Sequence, residues 1–235
     1  MDRIELTDYT LASHSTGHGL KSFDFSVKQG QTCAVHGDEP NDVYLFLRAL
    51  ATVERPITGA YRFFGHRLDF SDYRRLLPWR RKISYIGRDS SMISNLTVRE
   101  NLLLERNYFE NSLKLELSEE ITWFCRVFNL LDKLDVRPGA LNPLNLRVAI
   151  AIRELVKTSQ ILIMDGPEEI LGHPKFHYLI ERIHSMTASG IPFVYFSEDP
   201  NFLAGFSGRK IRIHRGALSE QDPAANQKIG NDHGN

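Results

Sequence analysis

"VHGDEPNDVYLFLRAL", residues 35–50, reads as the end of a strand, a tight loop and a helix. In that layout the backbone N–H groups of the loop and of the first helical turn converge on a phosphate. Yet the loop carries Asp38, Glu39 and Asp42, and no lysine. Shape and charge disagree: the backbone suits an anion and the side chains repel one.

Upstream, residues 3–36 alternate apolar and polar with turns between, which predicts antiparallel strands leading into a buried strand at Thr32–Val35. Downstream, Val43, Leu47 and Leu50 predict a helix over 42–52, and "TGAYRFFGHRL" a short hairpin at 58–68. From Thr97 to about Gly139 the pattern turns helical. Its clearest element lies near 118–134, with Ser118 as cap, Glu119 and Glu120 at the positive end, and Ile121, Phe124, Cys125, Phe128 and Leu131 in one stripe. Asn142 and Pro143 form a cap and first-turn pair ahead of another helix. The strand "ILIMD" at 161–165, a helix near 174–188 and the strand "PFVYF" at 192–196 follow. Strands alternating with helices predict a mainly parallel sheet. One α/β domain over 1–218 is expected, with a helical subdomain inserted at about 97–140 and a polar, disordered tail over 219–235.

With 235 residues and 42% hydrophobic content the chain can bury a full core. Lys+Arg and Asp+Glu both number 29, so no net field favours nucleic acid. Cys33 and Cys125 sit in apolar contexts without a CxxC pair, which predicts buried free thiols and no metal site. The start has no basic stretch followed by an apolar one, and no apolar run approaches the ~18 residues of a membrane span. A cytosolic chain is expected, touching the membrane only through a partner.

The segments form a series. "GDEPNDVY", Gly37–Tyr44, lies where G-x-x-x-x-G-K-[ST] would be expected, and "RRKISYIGRDSSMISNLTVRENLLL" runs into the helical insertion. "LNPLN" at 141–145 precedes "RVAIAIREL", "ILIMDGPEEIL" reads as an apolar strand ending at an aspartate, and "VYFSEDP" as a second strand ending in acids. In order and spacing this resembles the ATPase subunit, or nucleotide-binding domain, of ATP-binding cassette (ABC) transporters over roughly residues 3–218. The resemblance implies a P-loop NTPase-like fold with a mainly parallel core sheet, an antiparallel β subdomain and an inserted helical subdomain.

The resemblance also implies chemistry that these residues do not supply. Of the phosphate loop only Gly37 keeps its type; after Asn41, Asp42 stands for the second glycine, Val43 for the lysine and Tyr44 for the small hydroxyl residue. A carboxylate about 4 Å from a phosphate charge costs roughly 4 kcal/mol at an effective dielectric near 20. Solvation of a surface loop is the plain reading of these acids, and a carboxylate metal site the alternative. After Asp165, Gly166 replaces the glutamate that would polarise water. Glu198 replaces the switch histidine, and Arg88 the glutamine that would help hold metal and water. Arg88 reads as a solvated arginine or as a new phosphate ligand. The adenine-stacking aromatic is missing near 12–16, where His14 is the nearest substitute.

In the signature segment Leu141, Asn142, Pro143, Leu144 and Asn145 replace L-S-G-G-Q, with bulk where glycines would be, although Asn142 and Pro143 still start a helix. Leu96, Thr97, Arg99 and Glu100, together with Arg88, match the family's permease-coupling region. The plain reading makes Leu96, Val98 and Leu102 core residues and Arg99–Glu100 a local ion pair.

The expectation is a catalytically degenerate cassette subunit, without nucleotide on its own Walker motifs. It would pair with a complete ATPase subunit, whose site alone would take ATP and Mg²⁺, and dock on a transmembrane permease at the inner face of the membrane. "LTVRENLLL" and "LSEEI" are similar to importer-like and lipid-transport ATPases. The alternatives are a soluble regulatory or scaffolding protein reusing the fold, and an active ATPase with unorthodox residues.

Overall fold

The computed structural model describes residues 2–13, 17–110, 116–206 and 208–221. The chain begins with β1 (Asp2–Leu11), β2 (Leu20–Lys28), β3 (Thr32–Gly37), α1 (Pro40–Leu50), β4 (Thr58–Phe63) and β5 (His66–Arg67). There follow α2 (Tyr73–Arg80), β6 (Ile83–Ile86), α3 (Val98–Leu102), α4 (Leu104–Glu110), α5 (Glu119–Val127) and α6 (Pro143–Leu155). Last come β7 (Ile161–Asp165), α7 (Glu168–Leu171), α8 (His177–Ala188), β8 (Phe193–Phe196), α9 (Pro200–Gly205), β9 (Arg209–His214) and β10 (Ala217–Gln221).

Two sheets result. An antiparallel one runs β2-β1-β4-β5, and a six-stranded one runs β10-β9-β3-β8-β7-β6, parallel except at its β10 edge. The alternation of β7 shows why its apolar run is unbroken. Ile161 and Ile163 face a core shared with α1 and the antiparallel sheet, while Leu162 and Met164 face a second core under α5, α6 and α8. By the same period of two, Asp165 at the strand end falls on the α1 side.

Cys33 and Cys125 are buried free thiols, and burial pushes them up to about 12 and about 11. Glu154, on α6, is buried against Lys157 (3.0 Å) and Arg153 (3.0 Å). Burial alone would raise its carboxyl above the ordinary 4.5, but these two cations outweigh it and hold it below. The ionised form therefore stabilises the fold above pH 4.5, and that contribution is lost as pH falls below it. Glu154→Gln is expected to cost about 2 kcal/mol near neutral pH in denaturant titrations, with the difference from wild type shrinking in acid.

Two expectations are corrected. The helix foreseen near 118–134 ends at Val127, because Asn129 takes a left-handed φ of 56° and the Leu130 N–H reaches back to the Cys125 carbonyl at 2.7 Å. Leu131 thus leaves the stripe, enters a short 3-10 turn (Leu131–Lys133) and is 39% exposed. Ser219 was expected to open the tail, yet it continues β10, paired with Arg212 of β9, and the strand runs to Gln221. The rest of the foreseen tail, 222–235, lies outside the described residues, as do 111–115 within the helical insertion.

Candidate functional site

The loop between β3 and α1 closes on itself. Val43 is fully buried in the α1 core, and a Cβ on Gly37 would stand 2.5 Å from its Cγ2. Asp42, read from the sequence as a solvated acid, is 1% exposed. Its carboxylate accepts the Gly19 N–H at 3.1 Å and lies 3.3 Å from His18 Nδ1, so it anchors the segment ahead of β2. Gly17 passes so close that a Cβ there would sit 2.6 Å from Asp42 Oδ1. Asp38 is bound by Arg212 (3.0 Å) and His214 of β9; the His214 and Arg212 hydrogen bonds hold its carboxyl below the usual range. Among the described residues no group of three His, Cys, Asp or Glu side chains is arranged to hold a metal ion. Glu39 precedes α1 and Asn41 lies in its first turn. His14 lies outside the described residues.

Arg88 is neither free in solvent nor directed at an open cleft. Its Nε and second guanidinium nitrogen donate to Asp165 Oδ2 and Oδ1, both at 2.8 Å, and the Asp165 side chain is 0% exposed. The guanidinium carbon lies 5.3 Å from the centroid of the Tyr44 ring. Tyr44 in turn accepts from Arg48 at 2.9 Å, and Arg48 also binds Asp89 and Glu54. Tyr44, Arg88 and Asp165, far apart in sequence, thus form one compact cluster at the end of the parallel sheet.

Gly166 adopts φ 69°, a left-handed conformation that suits glycine. Gly166→Glu is expected to cost about 1 kcal/mol in thermal denaturation, because the backbone there suits glycine, and to yield no ATP hydrolysis, because Arg88 occupies both Asp165 oxygens and Val43 supplies no cation. Glu198 is exposed; its N–H donates to Glu168 (2.7 Å), which also accepts from Asp199 N–H (3.2 Å) and the Ser197 hydroxyl. Glu168 therefore fixes the whole switch segment, a role the sequence reading missed because its partners lie about 30 residues away.

The signature segment starts α6 as foreseen, with the Asn142 side chain accepting the Asn145 N–H at 2.8 Å and Pro143 in the first turn. Leu141 and Leu144 pack partly buried against the helical core. Arg147, one turn on, donates to the carbonyls of Gly87 (3.3 Å), Arg88 (2.6 Å) and Ser90 (3.2 Å) and pairs with Glu169. Sequence reasoning missed Arg147 as well, since nothing local points to partners some 57 to 60 residues upstream.

The coupling residues are held within the chain. Thr97 and Glu100 form a reciprocal cap on α3, and Arg99 reaches Asp135 (2.8 and 3.1 Å) instead of pairing with Glu100. Leu96 is half-buried and Val98 and Leu102 are buried. Buried Asn101, also missed, binds both the N–H (2.7 Å) and the carbonyl (3.0 Å) of Ile93. Beside them lies a groove of about 770 Å³, lined by apolar side chains such as Ile93, Leu102, Phe109, Ile121 and Val156 and by charged ones such as Arg81, Glu105 and Lys157. Arg88 does not line it.

A family profile described as ABC transporter matches residues 20–169. The chain is 27% identical over 203 residues to a macrolide export ATP-binding/permease protein of Campylobacter jejuni, a match covering 85% of this chain and 31% of that protein's length. It is 24% identical over 223 residues to a methionine import ATP-binding protein of Histophilus somni, covering 93% of this chain and 64% of that protein. A bacterial ABC transporter cassette solved as a dimer has the same fold, with a TM-score of 0.76 at 19% identity over 93% of this chain and 98% of the other.

Proposed function

Since the chain belongs to the ABC transporter family, with the P-loop ABC ATPase fold, we propose that it is a catalytically degenerate subunit of a membrane transporter. It pairs with a complete ATPase subunit and docks on a permease at the cytoplasmic face. The observation that carries this reading is the bidentate Arg88–Asp165 pair. The acid that a metal–nucleotide complex would need is already neutralised by the chain's own guanidinium.

The surrounding residues do not fit ATP and Mg²⁺ either. Val43 brings no cation, the Tyr44 ring lies against the Arg88 guanidinium, and Asp38 and Asp42 are spent on Arg212, His214 and the Gly19 amide. Gly166 offers no base, and Asn142 spends its side chain on the α6 amide. What the chain retains is a groove beside the coupling region, lined by both apolar and charged side chains, that suits a short amphipathic helix of a partner. No helix among the described residues is long and apolar enough to cross a membrane, so the membrane contact in this reading is the permease's.

The relatives' names span macrolide export and methionine import, so kinship does not select a cargo. A lipid cargo rests on the "LTVRENLLL" and "LSEEI" segments and is checked by comparing membrane lipids with and without this chain. The assembly is tested by capturing the full chain from gently solubilised membranes. Recovery of a permease together with a complete ATPase supports it; recovery of soluble proteins alone makes the chain a scaffold and ends the transport reading.

A further inference from the structure

Arg88 stands in the segment that joins the parallel sheet to the helical insertion. We propose that its guanidinium, seated on Asp165, acts as a built-in substitute for a bound cation and holds residues 87–96 in one position with or without nucleotide. Arg88 is then a positioning residue for the wall of the docking groove. The inference rests on the degenerate reading above and adds how that subunit stays competent to dock.

The segment is tied from every side by this chain's own groups. From β7, Asp165 binds Arg88. From α6, Arg147 takes the carbonyls of Gly87, Arg88 and Ser90, and Arg153 takes that of Ser91 at 3.0 Å. From α1, Arg48 binds Asp89, which also accepts from the Tyr85 hydroxyl at 3.0 Å. At the far end Asn101 fixes Ile93. Ser91 and Ile93 line the groove, so what fixes the segment also fixes the surface a partner meets.

Within this set the Arg88–Asp165 contact is distinctive, because it crosses from the segment to the sheet with a fully buried carboxylate. Tyr44 lies against the same guanidinium. Arginine suits the place better than lysine, since only its planar fork meets both carboxylate oxygens.

Hydrogen exchange on the full chain tests this, read at the amides of Gly87 and Ser90 (hydrogen-bonded to one another's groups) and of Ile93. In wild type, exchange is expected to be the same with and without MgATP. Arg88→Gln should speed exchange at Gly87 and Ser90 about tenfold while β3 and β8 keep their protection, and Arg88→Lys should fall between. Asp165→Asn removes the other half of the pair and should give the same local acceleration. Unchanged exchange in a folded Arg88→Gln or Asp165→Asn variant, with wild type still insensitive to MgATP, overturns the positioning role and leaves the degenerate reading standing. Slower exchange of wild type on adding MgATP overturns both.

Discussion

Val43→Lys, which restores the residue type of a working phosphate loop, will destabilise the domain by about 3–5 kcal/mol and will not bring ATP to it. Val43 is fully buried in the α1 core with Phe46, Leu47 and Leu50, and its methyl already lies against Gly37. A lysine there must bury its ammonium without a counter-ion or push α1 off the sheet. For a domain of this length such a loss lowers the melting temperature by about 6–20 °C. Thermal denaturation with and without MgATP checks it. An unchanged melting temperature that rises with MgATP would mean that the loop opens more easily than its packing implies.

The second large effect is an asymmetry at the ion pair. Arg88→Ala strands the Asp165 carboxylate, 0% exposed, without its partner. The Arg88 side chain is 39% exposed, so water relieves part of the cost, and about 2 kcal/mol is expected. Asp165→Asn leaves behind an arginine that can turn to solvent and should cost about half as much. The double variant should be more stable than Arg88→Ala alone, because the stranded charge is gone. Urea titrations of the three proteins decide it; equal losses in both single variants would show that the pair is screened and holds little.

Most of the fold was legible because it rests on periodicity. The "ILIMD" strand, the Asn142–Pro143 helix start and the strand–helix alternation each follow from local spacing, and each is present. The end of α5 was not, because Leu131 continues the apolar stripe while Asn129 and Leu130 complete a left-handed stop that depends on backbone geometry. At the site, residue types sufficed to show what is absent at Val43 and Gly166. They did not show what takes its place. Asp42 looks like a surface acid until the segment 17–19 folds over it, and Arg88 looks solvated until β6 and β7 pair and bring Asp165 beside it. Glu168, Arg147 and Asn101 were missed because most of their partners are backbone groups, which leave no mark in side-chain patterns.

In the proposed function this chain forms no nucleotide site from its own Walker-type residues. Calorimetric titration of MgATP into the purified full chain tests it most directly. No heat of binding is predicted, and no change in melting temperature, whereas ligand at about a hundred times its dissociation constant would add about 2.7 kcal/mol. Tight binding, with ATP hydrolysis that Asp165→Ala abolishes, would contradict the claim and make Arg88 a movable gate on a working site.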